Sequence, residues 1–239
     1  LVKNCKEVRK LKFVYVRIDV EKHFVETSGI RFYDFYCGIG NKPNHILVLK
    51  GCPSDSLYHK GLCLEYMSNE QIHSFIQSDS CHHGDFCWVD FAQEENLNYI
   101  SDKELSELLF IAHKFEPLDG IKFNSINNRY IYCSHDDEYL TRIYMDAEKY
   151  IDVIEFVVLD HLKQKNKILF SGEIKDILFQ LCQSGIIFDF EQKSDRIKLY
   201  IVQEKIKIDD IHKRLATFRK QENGWYLMMK DNEWTLDRL

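Results

Sequence analysis

The chain is poor in the two residues that punctuate regular structure, with 3 prolines and 10 glycines in 239 positions. That composition excludes a Pro/Gly-rich linker and any low-complexity tract. Positive charge is not in excess either: the formal net charge is −6, so no global field draws in a phosphate backbone. Nucleic acid is therefore a poor partner class, and the cluster Lys3, Lys6, Arg9, Lys10 and Lys12 reads as a solvated N-terminal arm. A membrane span would need about 20 mainly apolar residues in a row. The best apolar run, Ile154 to Leu162, is interrupted by Glu155 and Asp160. No apolar h-region follows the basic start, as a signal peptide would require. The 8 cysteines include no C-x-x-C pair and are too sparse for a secreted disulfide scaffold. Together these absences point to a soluble, reduced, cytoplasmic protein with no membrane partner.

What is present is an ordinary globular balance, 45% hydrophobic and 29% charged, with 13 Tyr and 16 Phe. Val14, Val16, Ile18 and Val20 alternate with Tyr15, Arg17 and Asp19, the pattern of a half-buried strand over 12–20. Further strands are expected at 30–37, 45–50, 62–66, 85–91, 129–133, 139–145, 186–191, 196–203 and 224–230, on β-branched and aromatic content. Ser68 with Gln71, and Ser101 with Glu104, are capping boxes that open two helices. The second carries Leu105, Leu108, Leu109 and Ala112 as its inward stripe and closes at Pro117 and Gly120. Helices are also expected from Asp146 to about 164, over 172–184 with Gly185 at C′, and over 208–220. The fold class is α+β: a mainly antiparallel sheet with flanking helices, plus a smaller C-terminal α+β unit. The division runs 1–164 and 165–239, with one continuous domain as the alternative.

Four segments could carry chemistry. Cys81, His82, His83, Asp85 and Cys87 hold zinc-type ligands close in sequence, without a second ligand pair at a familiar spacing. Asp19, Glu21 and His23 would lie on one face of an extended strand at about 7 Å intervals, able to hold a divalent metal or exchange a proton. Ser134, His135, Asp136, Asp137 and Glu138 form an acidic run beside a histidine, which also reads as a hairpin turn. Gly38 to His45 resembles part of a phosphate loop but lacks the third glycine and the Lys-Ser/Thr ending, and a strand follows it. No G-x-S-x-G or H-E-x-x-H is present, and no motif names a cofactor.

The strings GDFCWVDF (84–91), LSELLFIAHKFEPL (105–118) and NNRYIYCSHDDEYLTRIY (127–144), with YVRIDVEKHF and FYDFYCGIGNKPNHIL, carry a resemblance. They resemble a family of uncharacterised soluble proteins from Bacillus-type Gram-positive bacteria, some labelled as anion antiporters. The resemblance implies a cytosolic bacterial protein and brings no activity, substrate or catalytic residue; without membrane spans the antiporter label does not suit this chain. The family pattern has an aromatic after the HDD turn, where this chain has Glu138 before Tyr139.

The leading expectation is a non-catalytic binding or regulatory protein that recognises a protein partner or a small ligand. It rests on exposed aromatics, with Tyr33, Tyr36, Trp88, Tyr130 and Tyr139 as the candidates. The alternative is a metal-dependent hydrolase in which His83, Asp85, His135 and Asp136 converge, with Asp19, Glu21 and His23 or Cys81, His82 and Cys87 as further ligands. A third reading is a redox sensor acting through an exposed thiol at Cys81 or Cys87. The sequence leaves the oligomeric state open.

Overall fold

A computed structural model of the chain describes residues 12–50, 64–77, 86–111, 122–135, 139–163, 168–190, 196–202, 210–221 and 224–238. Residues 1–11 of the expected N-terminal arm, the helix end at Pro117 and Gly120, and the turn at 136–138 lie outside these residues.

The described strands are β1 (Phe13–Asp19), β2 (Phe24–Ser28), β3 (His45–Lys50), β4 (Leu64–Ser68), β5 (Phe86–Phe91), β6 (Ile131–His135), β7 (Leu140–Tyr144), β8 (Ile186–Asp189), β9 (Arg196–Ile201), β10 (Trp225–Lys230) and β11 (Glu233–Arg238). They form one 11-stranded sheet in the order β11-β10-β9-β8-β1-β2-β7-β6-β5-β3-β4. Every pairing is antiparallel. The helices are α1 (Phe32–Gly38), α2 (Asn69–Gln77), α3 (Asp102–Ile111), α4 (Tyr150–His161), α5 (Gly172–Gln183) and α6 (Ile211–Gln221). The fold is thus α+β, with helices on both faces of the sheet.

Alternation along the strands divides the core in two. Val14, Val16, Ile18, Val48, Trp88, Tyr132, Ile143, Phe188 and Leu199 face α1, α2, α4 and α5 and form the largest apolar cluster. That cluster runs without a break from Val14 to Trp234, so strands from both sides of residue 164 share it. On the opposite face Leu47, Leu49, Cys87, Val89 and Ile131 lie under α3. Tyr15, Ile187 and Tyr200 lie under α6 on that same face.

The segment expected as a strand over 30–37 is instead α1. Phe32, Phe35, Tyr36 and Ile39 recur at i, i+3, i+4 and i+7, and all four are buried. The Asp34 carboxylate accepts the Arg31 N–H at 3.0 Å, closing the first turn. The aromatic content suggested β structure, yet the helical period was also there, and burial against the sheet selected it. The 38–44 segment therefore joins a helix to β3 and is not a hairpin loop. Strands β2 and β11 are additions to the expected set. Strand β2 was hidden because Thr and Glu interrupt its apolar run, and β11 because its sequence EWTLDR is mostly polar.

Two glycines position the helices. Gly185 follows α5 at φ +79°, the left-handed C′ conformation anticipated for it. Gly38 ends α1 where the chain meets α4, and a Cβ there would stand 2.6 Å from the Val153 Cα. Backbone cannot yield to that approach as a side-chain tip can. Gly38→Ala should therefore push α1 off α4 and cost about 1–3 kcal/mol of stability. A lowered urea midpoint with an unchanged slope is the expected reading.

Candidate functional site

Asp19, Glu21 and His23 do not form a row on a strand. Strand β1 ends at Asp19, whose Oδ1 accepts the Lys22 N–H at 3.0 Å, so the chain turns there. His23 sits at φ +52°, and its carbonyl accepts the Met145 N–H at 3.1 Å. The acidic side chain closes the turn on itself, and the regular 7 Å spacing expected of an extended strand is lost.

Cys87 and His135 lie on the α3 face of the sheet, in β5 and at the end of β6. Both are buried. Cys87 faces Cys133 across the strands with Sγ···Sγ at 3.5 Å. Burial pushes the Cys87 thiol well up, so the exposed, activated thiol expected of a sensor is not found at this position. Cys81, His82, His83, Asp85 and Asp136 lie outside the described residues. Among the described residues, no three His, Cys, Asp or Glu side chains gather where they could hold a metal.

Between the α3 and α6 cores a polar row crosses the sheet: Arg17 on β1, Glu26 on β2 and Arg142 on β7, in register. Arg142 Nε donates to Glu26 Oε2 at 3.0 Å, and both side chains are largely withdrawn from solvent. Within the row the Glu26–Arg142 pair is compensated inside the sheet and serves pairing register.

The aromatics expected at the surface are mostly inside. Trp88, Tyr36 and Tyr130 are buried, Tyr139 is half-buried, and Tyr33 alone of the five is exposed. They turn inward because α1 lies flat on the sheet and places Phe32 and Phe35 over Trp88 and Tyr132.

Exposed apolar surface gathers elsewhere, on α3 and the 3-10 turn before it (Glu94–Tyr99). Tyr99 is 73% exposed, Phe110 57%, Leu109 39% and Leu105 37%. Leu105 and Leu109 were expected to face inward. Leu108 of the expected stripe does enter the core, but the helix is rotated so that Ile111 joins it there and Leu105 and Leu109 do not. Glu104 sets that rotation: its carboxylate accepts the Ser125 N–H at 3.2 Å and the Ser125 O–H at 2.5 Å. The predicted Ser101–Glu104 capping box is present as well. Asn96 Nδ2 donates to the Ser125 carbonyl at 3.1 Å, and Asn128 Oδ1 accepts the Phe123 N–H at 2.8 Å. The surface therefore stands on a cross-linked base. The available signal was the LLFI run at 108–111, which holds more apolar residues than one inward stripe needs.

Exposed Glu94, Glu95, Asp102 and Glu107 lie in the same stretch, against the single cation Lys103. The crevice lined by Ile100, Glu104, Leu108, Phe123, Ser125 and Ile126 has no space for even a water molecule. The exposed apolar side chains of α3 thus stand in a stretch richer in acids than in bases, a composition suited to another protein surface. No family model, no curated protein and no solved structure matches the chain.

The Ser125 hydroxyl first, and its amide second, hold the Glu104 carboxyl down to about 2. A depressed carboxylate stabilises the folded state above the ordinary carboxylate range and loses that contribution as pH falls through its folded value. Protection of the Ser125 amide in hydrogen exchange should therefore fall between about pH 4.5 and pH 2. Ser125→Ala should bring the Glu104 titration, followed by NMR, back toward the ordinary range.

Proposed function

We propose that this chain is a non-catalytic cytoplasmic binding protein that engages a protein partner through the outer face of α3. The observation that carries the reading is the concentration of large exposed apolar side chains between Tyr99 and Phe110. Large exposed apolar side chains suit a protein surface, and the acidic residues of the same stretch favour a partner whose own apolar patch is ringed by Lys and Arg. The hydrogen-bonded base formed with Asn96, Glu104 and Ser125 supports the reading, because a pre-ordered face gives up little entropy on binding. The resemblance to soluble Bacillus-type proteins fits a cytoplasmic setting and adds no activity. The metal-dependent hydrolase reading depends on His83, Asp85 and Asp136, which are outside the described residues, and no observation on the described ones favours it.

Immobilised wild-type chain and a Leu105→Asp/Leu109→Asp variant, with Leu169→Asp as a control at another exposed leucine, should separate the outcomes. A basic protein retained by the wild type and the control should fall at least about tenfold on the double variant and should elute with salt. Identical captured sets, measured by quantitative mass spectrometry, would overturn the assignment. So would self-association in sedimentation that is lost on the double substitution, since the partner would then be a second copy. Both leucines already contact solvent, so the double variant should unfold within about 1 kcal/mol of the wild type.

A further inference from the structure

Cys87 and Cys133 stand directly opposite each other on β5 and β6. The neighbouring hydrogen bonds reveal which kind of pair they form. Asp90 N–H donates to the Tyr130 carbonyl at 3.2 Å, which marks that position as hydrogen-bonded, and the two kinds alternate along an antiparallel ladder. Trp88 and Tyr132 are then a hydrogen-bonded pair, and Cys87 and Cys133 a non-hydrogen-bonded one. Backbones approach closest at such pairs, with Cα atoms about 4.5 Å apart, a spacing that a disulfide accepts.

The sulfurs are already 3.5 Å apart and point to the same face of the sheet. A bond requires them to close by about 1.5 Å, to the usual S–S length of about 2.05 Å. Leu49, Val89, Leu108 and Ile111 belong to the same cluster, so the pair is sealed by apolar side chains. The other free cysteines among the described residues, Cys37 and Cys182, belong to other parts of the fold, on α1 and α5.

We propose that Cys87 and Cys133 are a redox-modification site that closes to a reversible cross-strand disulfide when local opening of the layer above them admits a small hydroperoxide. One sulfur, as thiolate, attacks a peroxide oxygen; the O–O bond breaks, water leaves and a sulfenic acid remains. The second sulfur attacks the first, the S–O bond breaks and a second water leaves. Two thiols and one hydrogen peroxide thus give one disulfide and two waters. A dithiol reductant reverses the change by thiol–disulfide exchange, becoming a disulfide itself. Burial keeps the Cys87 thiol protonated at neutral pH, so closure is slow there and quickens as pH rises. The site is independent of the partner surface proposed above.

The test uses the full chain, reduced and folded, treated with hydrogen peroxide at pH 7 and pH 9. Remaining thiols are alkylated in denaturant and the peptides mapped by mass spectrometry. The expected product is a linked pair of peptides carrying Cys87 and Cys133, lighter by two hydrogens, formed faster at pH 9 and undone by dithiothreitol. The closed loop joins residues 46 positions apart, so Tm should rise by roughly 5–15 °C on oxidation. Cys133→Ala should abolish that rise. Recovery of both cysteines as free thiols after the chain's other thiols have oxidised would overturn the proposal, as would their linkage to other cysteines.

Discussion

Trp88 and Tyr132 lie nearly parallel across β5 and β6, their centroids 5.5 Å apart and their planes 7° from each other. Phe32 rests against both, at 5.0 Å and 5.3 Å, and Phe35 does the same at 6.0 Å and 5.5 Å. These rings fix α1 to the sheet, and Gly38 at the end of α1 lets α4 come down beside it. Tyr150, the first residue of α4, then closes on Phe35 at 6.4 Å. Burial of rings at this density contributes both area and preferred ring geometry. The helix layer over β5, β6 and β7 is built on this contact.

Away from that centre, buried carboxylates tie outer pieces to the sheet and to α4. Asp189, on β8, accepts two bonds from Arg219 of α6 at 2.7 Å each. Asp90, on β5, accepts the Arg129 and Tyr130 N–H groups at 2.7 Å and 2.6 Å, and Arg129 Nε at 3.0 Å. Burial raises the Asp90 carboxyl, while these donors oppose the rise. Glu155, on α4, accepts the Phe170 N–H and pairs with Lys175 of α5 at 3.1 Å. Each carboxylate would be costly if left alone in an apolar core. Each instead fixes the place of one element, so polarity here sets where helices and connections dock.

The two functional proposals draw on different consequences of this plan. A helix that covers one face of a sheet needs a single inward apolar stripe, and α3 carries more apolar residues than that. On α3 the surplus points outward, because Glu104 is held to Ser125 and sets the rotation. Beneath α3, the ladder alternation brings two cysteines to the side-chain-near kind of pair. One feature is at the surface, the other sealed and local.

The sequence by itself determined the α+β class, the capping box at Ser101 and the Gln71 half of the one at Ser68, the C′ glycine at 185 and the placement of most strands. Those features depend on nearest neighbours and short periods, which a local reading captures. It also carried the helical period of α1, but that signal competed with an aromatic content that suits strands equally well. Only burial against Trp88 and Tyr132 separated the two. The tertiary structure decided which aromatics are inside, which way α3 is turned, and that Cys87 faces Cys133. Each of these rests on partners between about 20 and 100 positions away or on strand register, and neither is written in local spacing.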